Sequence, residues 1–253
     1  MTKGMLSTTI VLALAGVCAA AEQDQRVFEM RTYYAPAGRL DDLHARFRNH
    51  TVKLFEKHGM TNIGYFVPVE NPDNKLIYFL AYPSLEAKAQ SWKAFMADPD
   101  WQAVRKQTEA NGAIVAKSES LTLGATDYSS AIRPVAQAER VFELRTYTAS
   151  PGNLSQLNAR FRNHTVKLFE KHGINSIGYW CPLKDQPGAD NTLVYIVAHK
   201  SLDAAKASFG AFRQDPAWIA AKTASEDAAG GSLTAQDGVK SLFLKATDYS
   251  PMK

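Results

Sequence analysis

Hydrophobic and polar residues along the chain follow first a strand pattern and then a helix pattern. Residues 27–34 are rich in β-branched and aromatic side chains and alternate in polarity, which predicts a strand. Residues 40–58 place apolar side chains at helical spacing. This helix is expected to stop at the run Lys57-His58-Gly59, because a cationic last turn followed by glycine is a typical helix end.

The next part of the chain predicts two further strands, two more helices and a closing strand. Residues 62–69 and 76–82 have strand composition, and Ser84 is placed to cap a helix. Residues 101–111 predict a short helix, and residues 118–125 predict the last strand. The order β-α-β-β-α-β is that of a ferredoxin-like unit.

The whole series occurs a second time. Residues 45–59 and 159–173 both read ARFRNHTVKLFEKHG, and residues 125–129 and 246–250 both read ATDYS. A duplication over this length predicts two copies of one structural unit.

We place repeat 1 at residues 26–129, a linker at 130–138 and repeat 2 at 139–250. A single ferredoxin-like unit leaves one face of its sheet without helices, and that face needs a cover. We therefore predict an α+β fold in which the two repeats pack sheet on sheet, as a dimer within one chain. Two independent units that each pair with another molecule are the alternative.

Several motifs recur in the same order in both copies and resemble those of the NIPSNAP family. They are a strand start F-E-[ML]-R-T-Y, a helix end L-F-E-K-H-G, the run I-G-Y-[FW]-x-P and the run D-P-x-W. The matching residues are 28–33, 54–59, 63–68 and 98–101, and again 142–147, 168–173, 177–182 and 215–218.

The resemblance implies a dimeric α/β-barrel fold. The wider superfamily includes cofactor-free monooxygenases, polyketide cyclases and haem enzymes. We expect no cofactor, and a haem bound by one of the histidines is the minor alternative that the superfamily implies. Mitochondrial roles of animal members are not carried over to this chain, because its first residues resemble a secretory leader and not an Arg-rich transit peptide.

Composition adds little about partners. The 253 residues are 45% hydrophobic and 21% charged with a net charge of +4, which is ordinary for a folded protein. No long Lys/Arg run is present, so we expect no nucleic-acid partner. No His and carboxylate spacing typical of a metal site occurs, so we expect no metal.

The first residues read as an export signal. Lys3, the apolar residues 6–17 and a small-residue cleavage site at 19–21 predict a signal peptide over residues 1–21. We expect a periplasmic or secreted protein that keeps no stable membrane insertion after cleavage, and an uncleaved N-terminal anchor is the alternative. The mature chain then retains only Cys181, which we interpret as a buried thiol and not as a nucleophile.

His50 and its copy His164 are the candidate catalytic residues. Each is predicted at the edge of the apolar stripe of its helix, where an imidazole could act as base, acid or ligand. A hydrogen-bonded boundary histidine is the structural alternative. His58 and His172 end their helices and are interpreted as structural, and His44 is treated as a surface residue because its counterpart is Asn158.

Ligand-binding candidates come from the strands. Arg31 and Arg145 alternate with apolar residues, each two positions after a glutamate, and are expected to form buried charge pairs or to orient an anionic or carbonyl ligand. Tyr65 and Tyr179 are expected to line a pocket or to belong to the core.

Three functions fit these features. The first is an exported protein that binds a small molecule between sheet and helices. The second is a cofactor-free oxygenase, isomerase or cyclase that uses His50 or His164. The third is a non-catalytic interaction module. The chain is expected to be a monomeric pseudo-dimer or a further homo-oligomer.

Overall fold

The structure, a computed structural model, describes residues 23–135 and 139–253. The predicted leader therefore lies outside the described residues, as does the end of the predicted linker. Repeat 1 contains β1 (Val27–Tyr34), α1 (Leu40–Arg46), a π-helical turn (Phe47–Thr51), α2 (Val52–Lys57), β2 (Thr61–Pro68), β3 (Lys75–Tyr82), α3 (Leu85–Ala97), α4 (Pro99–Thr108) and β4 (Lys117–Ala125).

Repeat 2 has the same elements in the same order. They are β5 (Val141–Ala149), α5 (Leu154–Arg160), a π-helical turn (Phe161–Thr165), α6 (Val166–Lys171), β6 (Asn175–Pro182), β7 (Thr192–His199), α7 (Leu202–Gln214), α8 (Pro216–Ala229) and β8 (Thr234–Ala246). The predicted β-α-β-β-α-β unit is confirmed in both copies.

The eight strands form one closed barrel in the order β1-β3-β2-β8-β5-β7-β6-β4. Neighbouring strands are antiparallel, and the two repeats join where β2 pairs with β8 and β4 pairs with β6. The predicted intra-chain barrel is confirmed, with one addition. The sheets share hydrogen bonds at both edges, so neither repeat keeps an unpaired edge strand.

Alternating strand residues point into the barrel and fill it. Phe28, Phe79, Phe142 and Trp180 are fully buried there, and the ring centroids of Phe79 and Trp180 lie 5.4 Å apart. A Cβ atom on Gly178 would approach the Trp180 ring to 2.6 Å, so the ring can fold over this position only because it is glycine. The barrel interior is therefore a packed core.

The helices cover the outer face of the barrel and build one core per repeat. The first long helix of each repeat is continuous except for its π-helical turn, in which the Thr51 hydroxyl donates to the Arg46 carbonyl at 3.3 Å. The same bond joins Thr165 to Arg160 at 3.2 Å. Ser84 caps α3 as predicted, accepting from the Ala87 amide at 3.1 Å.

Each repeat ends in a segment that crosses to the other repeat. We call residues 126–132 the first arm and residues 247–252 the second arm. The Ser129 hydroxyl accepts from the Tyr179 amide, and the Ser250 hydroxyl accepts from the Tyr65 amide, both at 3.0 Å. Ile132 and Met252 then enter the barrel core. The repeated ATDYS sequence is thus a mutual clasp between the two repeats.

Helices of the described ranges, residues 23–135 and 139–253, all lack the length and apolarity needed to span a membrane.

Candidate functional site

A buried carboxylate organises the outer face of the repeat 1 sheet. Glu29 is 1% exposed and accepts hydrogen bonds from Arg31 (2.8 Å), Ser120 (2.6 Å), Tyr82 (2.7 Å) and Trp92 (2.8 Å). Burial opposes its charge, but the Arg31 guanidinium and the hydroxyl donors hold the pKa of the Glu29 carboxyl below its usual range. The predicted charge pair forms within one repeat and not across the two.

Repeat 2 builds the same centre with fewer donors. Glu143 accepts from Arg145 and Ser241, both at 2.5 Å, and its second oxygen lies 3.2 Å from Nε2 of His199. His199 stands where repeat 1 has Tyr82, and Phe209 stands where it has Trp92. The indole donor of repeat 1 is therefore absent from the Glu143 centre.

A cavity of 390 Å³ lies above this centre in repeat 1, between the sheet and the helices. The Arg31 side chain, 17% exposed, lines it, and its Cζ atom stands 4.5 Å from the centre of the Trp92 ring. Nε of Arg31 is buried without a hydrogen-bond partner among the described residues. The aromatic residues that line the cavity are Tyr33, Phe47, Phe55, Trp92, Phe95 and Trp101.

The far wall of the cavity carries an ion pair that sequence reasoning missed. Arg46, 3% exposed, donates to Glu109 at 2.8 Å and lies over the Trp101 ring at 5.2 Å. The π-helical turn starts directly after Arg46 and places Phe47 and Thr51 in the lining. The signal was the arginine itself, because it lies beside the apolar stripe of the helix and within the run of residues 45–59 that recurs unchanged in repeat 2.

The corresponding space in repeat 2 is divided. One cavity of 420 Å³ is lined by Arg145 and Arg213, and a second of 210 Å³ is lined by Arg160 and Phe161. Trp218 contributes to both. Arg31 and Arg145 each line a cavity between the sheet and the helices, and their role in ligand binding stays a prediction.

The two candidate catalytic histidines lie away from these cavities. His50 is half-buried, His164 is exposed, and neither lines the space that Arg31 or Arg145 faces. His164 instead borders an alanine-lined groove of 640 Å³ between α5 and α8. The structure thus does not bring the histidines together with the arginines, and their catalytic role stays a prediction.

The two candidate tyrosines belong to the core between sheet and helices. Tyr65 is 0% and Tyr179 is 2% exposed, and neither contributes to the cavity lining. Tyr65 stacks on Tyr78 with ring centroids 5.5 Å apart. Burial raises the pKa of Tyr65 well above its usual value, which keeps the phenol neutral. The sequence left two roles open for these tyrosines, pocket lining or core, and the structure places both tyrosines in the core.

The assignment of His44 to the surface is wrong. His44 is half-buried, and its Nδ1 lies 2.7 Å from the hydroxyl of Tyr249 in the second arm. Asn158 makes the equivalent contact in repeat 2, where its side-chain oxygen accepts a hydrogen bond from the Tyr128 hydroxyl of the first arm at 2.6 Å. The arm tyrosines explain why a histidine and an asparagine occupy equivalent positions.

The remaining titratable groups of the sequence analysis are structural. His58 and His172 contact the capping carboxylates Asp98 and Asp215 at 2.6 and 2.7 Å. Burial raises the pKa of the Cys181 thiol, which is unfavourable for a nucleophile.

Other parts of the described chain are weaker candidates for a functional site. A cavity of 810 Å³ near Arg140 and Lys253 has no buried residue in its lining. Residues 23–135 and 139–253 contain no cluster of three His, Cys, Asp or Glu side chains that could hold a metal ion. The cavities beside Arg31 and Arg145 are therefore the candidate sites.

Comparison with known proteins agrees with the duplicated architecture. The NIPSNAP family profile matches residues 28–130 and again residues 142–251. No curated protein matches the chain in sequence.

Two solved structures share the fold over 88% of this chain. A monooxygenase-like protein from Lactobacillus acidophilus is 11% identical, with a TM-score of 0.56, and the match covers 88% of this chain and 94% of that chain. One from Fusobacterium nucleatum is 13% identical, with a TM-score of 0.57, over 88% of this chain and 93% of that one. A NIPSNAP family protein from Agrobacterium tumefaciens is 25% identical, with a TM-score of 0.39, over 43% of this chain and all 100% of its own.

Proposed function

Because the chain belongs to the NIPSNAP family, we propose that it binds a small, flat aromatic molecule between the sheet and the helices, with the better-formed site in repeat 1. The observation that carries this proposal is the 390 Å³ cavity, whose wall is formed by six aromatic side chains together with Arg31. Its volume falls within the range of pockets that enclose small molecules, about 300–1,000 Å³.

The lining specifies the shape and polarity of the ligand. Aromatic walls favour a flat ring, because offset and edge-on contacts form against its faces and edges. Arg31 can donate to a carbonyl, hydroxyl or carboxylate oxygen, and its charge is already balanced by Glu29 at 2.8 Å. Arg46 is balanced in the same way by Glu109 at 2.8 Å. The ligand therefore needs little charge of its own.

Fluorescence titration with indole, 1-naphthol and benzoate tests this proposal. Trp92 and Trp101 line the cavity, so binding is expected to give saturable quenching. Ala113 is exposed at the cavity wall, and Ala113→Phe is expected to block the site while the protein stays folded. The proposal fails if no probe binds saturably, or if binding survives unchanged in the Ala113→Phe variant.

An enzymatic role is a separate hypothesis. The structural neighbours described as monooxygenase-like share the fold at 11–13% identity, and the described residues that line the repeat 1 cavity include no histidine. The same lining gives a haem iron no axial histidine. A turnover that persists in the His50→Ala/His164→Ala double variant would reject catalysis by these residues.

Export forms part of the proposed role. We propose that residues 1–21 are removed and that the mature protein acts in the periplasm or outside the cell. Mass spectrometry of protein purified from its own host should then find an N-terminus at Glu22. A chain that retains Met1 would contradict this.

A further inference from the structure

The repeat 2 cavity differs from that of repeat 1 in how its cations are paired. In repeat 1, Glu109 accepts from Arg46 at 2.8 Å and from Arg105 at 3.2 Å, so both of its oxygens are engaged. Together with the Arg31–Glu29 pair, every arginine in that lining lies next to a carboxylate.

The equivalent carboxylate of repeat 2 makes looser pairs. Glu226 lies 3.5 Å from Arg160 and 3.9 Å from Lys222. Arg213 replaces Met96 in the lining and has no ion-pair partner among the described residues. Two cations that line the 420 Å³ cavity are therefore available to a ligand. Arg213 is unpaired, and Lys222 is only weakly paired with Glu226.

We infer that repeat 2 holds a second, separate site, which takes an aromatic molecule carrying a dianionic group such as a phosphate or two adjacent carboxylates. This inference rests on the proposed function of the sheet–helix cavities as small-molecule sites. Arg213 and Lys222 supply the charge, and Tyr147, Phe212 and Trp218 supply the aromatic walls.

Physical chemistry favours a dianion here over a neutral ligand. Unpaired cations on one side of a cavity attract an anion and repel further cations. Arg145 adds a guanidinium at the base of the same space, where its Nε is buried without a partner among the described residues. A guanidinium and an ammonium together match the several oxygens of a phosphate or a dicarboxylate.

Repeat 1 cannot offer the same recognition, because Met96 stands at the position of Arg213 and its remaining cations are neutralised. The duplicated chain therefore provides its own control. A single exchange at this pair of positions should move the charge preference from one cavity to the other.

Isothermal titration calorimetry with phenyl phosphate, phthalate and phenol tests the inference on the full chain. We expect phenyl phosphate or phthalate to bind more tightly than phenol. Arg213→Met should weaken dianion binding by about tenfold or more, since a charge-assisted hydrogen bond is lost, and should leave phenol binding in the repeat 1 cavity unchanged, because that cavity does not contain Arg213. Met96→Arg should create dianion binding in repeat 1. Both substitutions lie at exposed positions and should leave the fold intact.

The outcomes separate this inference from the proposed function. If neither the dianions nor the neutral probes bind, the proposed function fails and the second site falls with it. If phenol, indole or 1-naphthol binds but dianions bind no more tightly, or if Arg213→Met leaves dianion affinity unchanged, only the second site is rejected. Binding of phthalate without phenyl phosphate, or the reverse, identifies which dianion the site accepts.

Discussion

The two repeats have the same backbone plan but differ in the polar groups of their centres. Glu29 accepts four hydrogen bonds and also has Lys88 at 3.5 Å, whereas Glu143 accepts two and contacts His199. The barrel, the arms and the π-helical turns are retained in both copies. Duplication thus preserved what each repeat needs from the other and allowed the two cavities to diverge.

The largest expected effect comes from the two buried glutamates. Glu29→Ala leaves the Arg31 charge and the Trp92 and Tyr82 donors buried without an acceptor, which should lower the free energy of unfolding by about 3–5 kcal/mol. Glu143→Ala should cost less, because Arg145 keeps the Tyr147 hydroxyl at 3.0 Å. Urea unfolding followed by circular dichroism measures both.

The double variant Glu29→Ala/Arg31→Ala is the control for this comparison. It removes both charges and should recover part of the stability lost in Glu29→Ala. Equal losses in Glu29→Ala and Glu143→Ala would show that the extra donors around Glu29 contribute nothing.

The second comparison concerns the residues with which the arms enter the barrel. Met252 is 2% and Ile132 is 1% exposed, and each packs beside a glycine of the opposite repeat, Gly64 or Gly178. Replacing either by alanine should lower stability by about 2–5 kcal/mol. We expect the loss of stability in Met252→Ala to lie nearer the lower value, because the flexible thioether of methionine fits its site less tightly than the β-branched side chain of Ile132. Thermal unfolding at matched concentration compares them.

The order of elements could be predicted from the sequence because hydrophobic spacing, glycine positions and capping residues are local signals. Ser84 and Gly59 are examples, since each acts within a few residues of its own position. The closure of the barrel was less accessible. The pairing of β2 with β8 and of β4 with β6 joins residues far apart in the sequence, and no local pattern specifies it.

The candidate site was predictable only in part. Arg31 and Arg145 stood out because a charge in an alternating strand needs a partner. His50 stood out for its residue type, but a helical wheel drawn at ideal α-helical spacing does not represent the π-helical turn that contains it. Arg46 and Glu109 form an ion pair although they are 63 residues apart in the chain. No local sequence pattern could therefore predict that they are partners.

A smaller effect should follow from the pH sensitivity of the arm contacts. Burial, aided by Arg48, lowers the pKa of His44 in the folded protein, although Asp41 and Asp248 oppose the shift. The unfolded chain therefore takes up a proton more readily than the folded one. Stability should fall as pH drops through the unfolded value of about 6.5 and level off below the folded pKa.

His44→Asn reproduces the repeat 2 residue and removes this dependence. The difference in Tm between pH 7.5 and pH 5.5 should be smaller in the variant than in the wild type, and larger in the reciprocal Asn158→His variant. An unchanged pH dependence in both variants would show that the arm contact does not respond to histidine protonation.

The smallest expected effect concerns the exposed ion pairs at the arms. Arg48 contacts Asp248 at 2.5 and 2.8 Å, and Arg162 contacts Asp127 at 2.7 Å through both carboxylate oxygens. All four side chains are more than 40% exposed, so Asp248→Asn and Asp127→Asn should each cost only about 0.2–1 kcal/mol. At about 1 M salt, where screening acts over roughly 3 Å, most of that cost should disappear. A larger loss of stability that persists in salt would mean that the arms are held by these exposed ion pairs. It would contradict the conclusion that the arms are held by their buried residues, which are Ser129, Ser250, Ile132 and Met252.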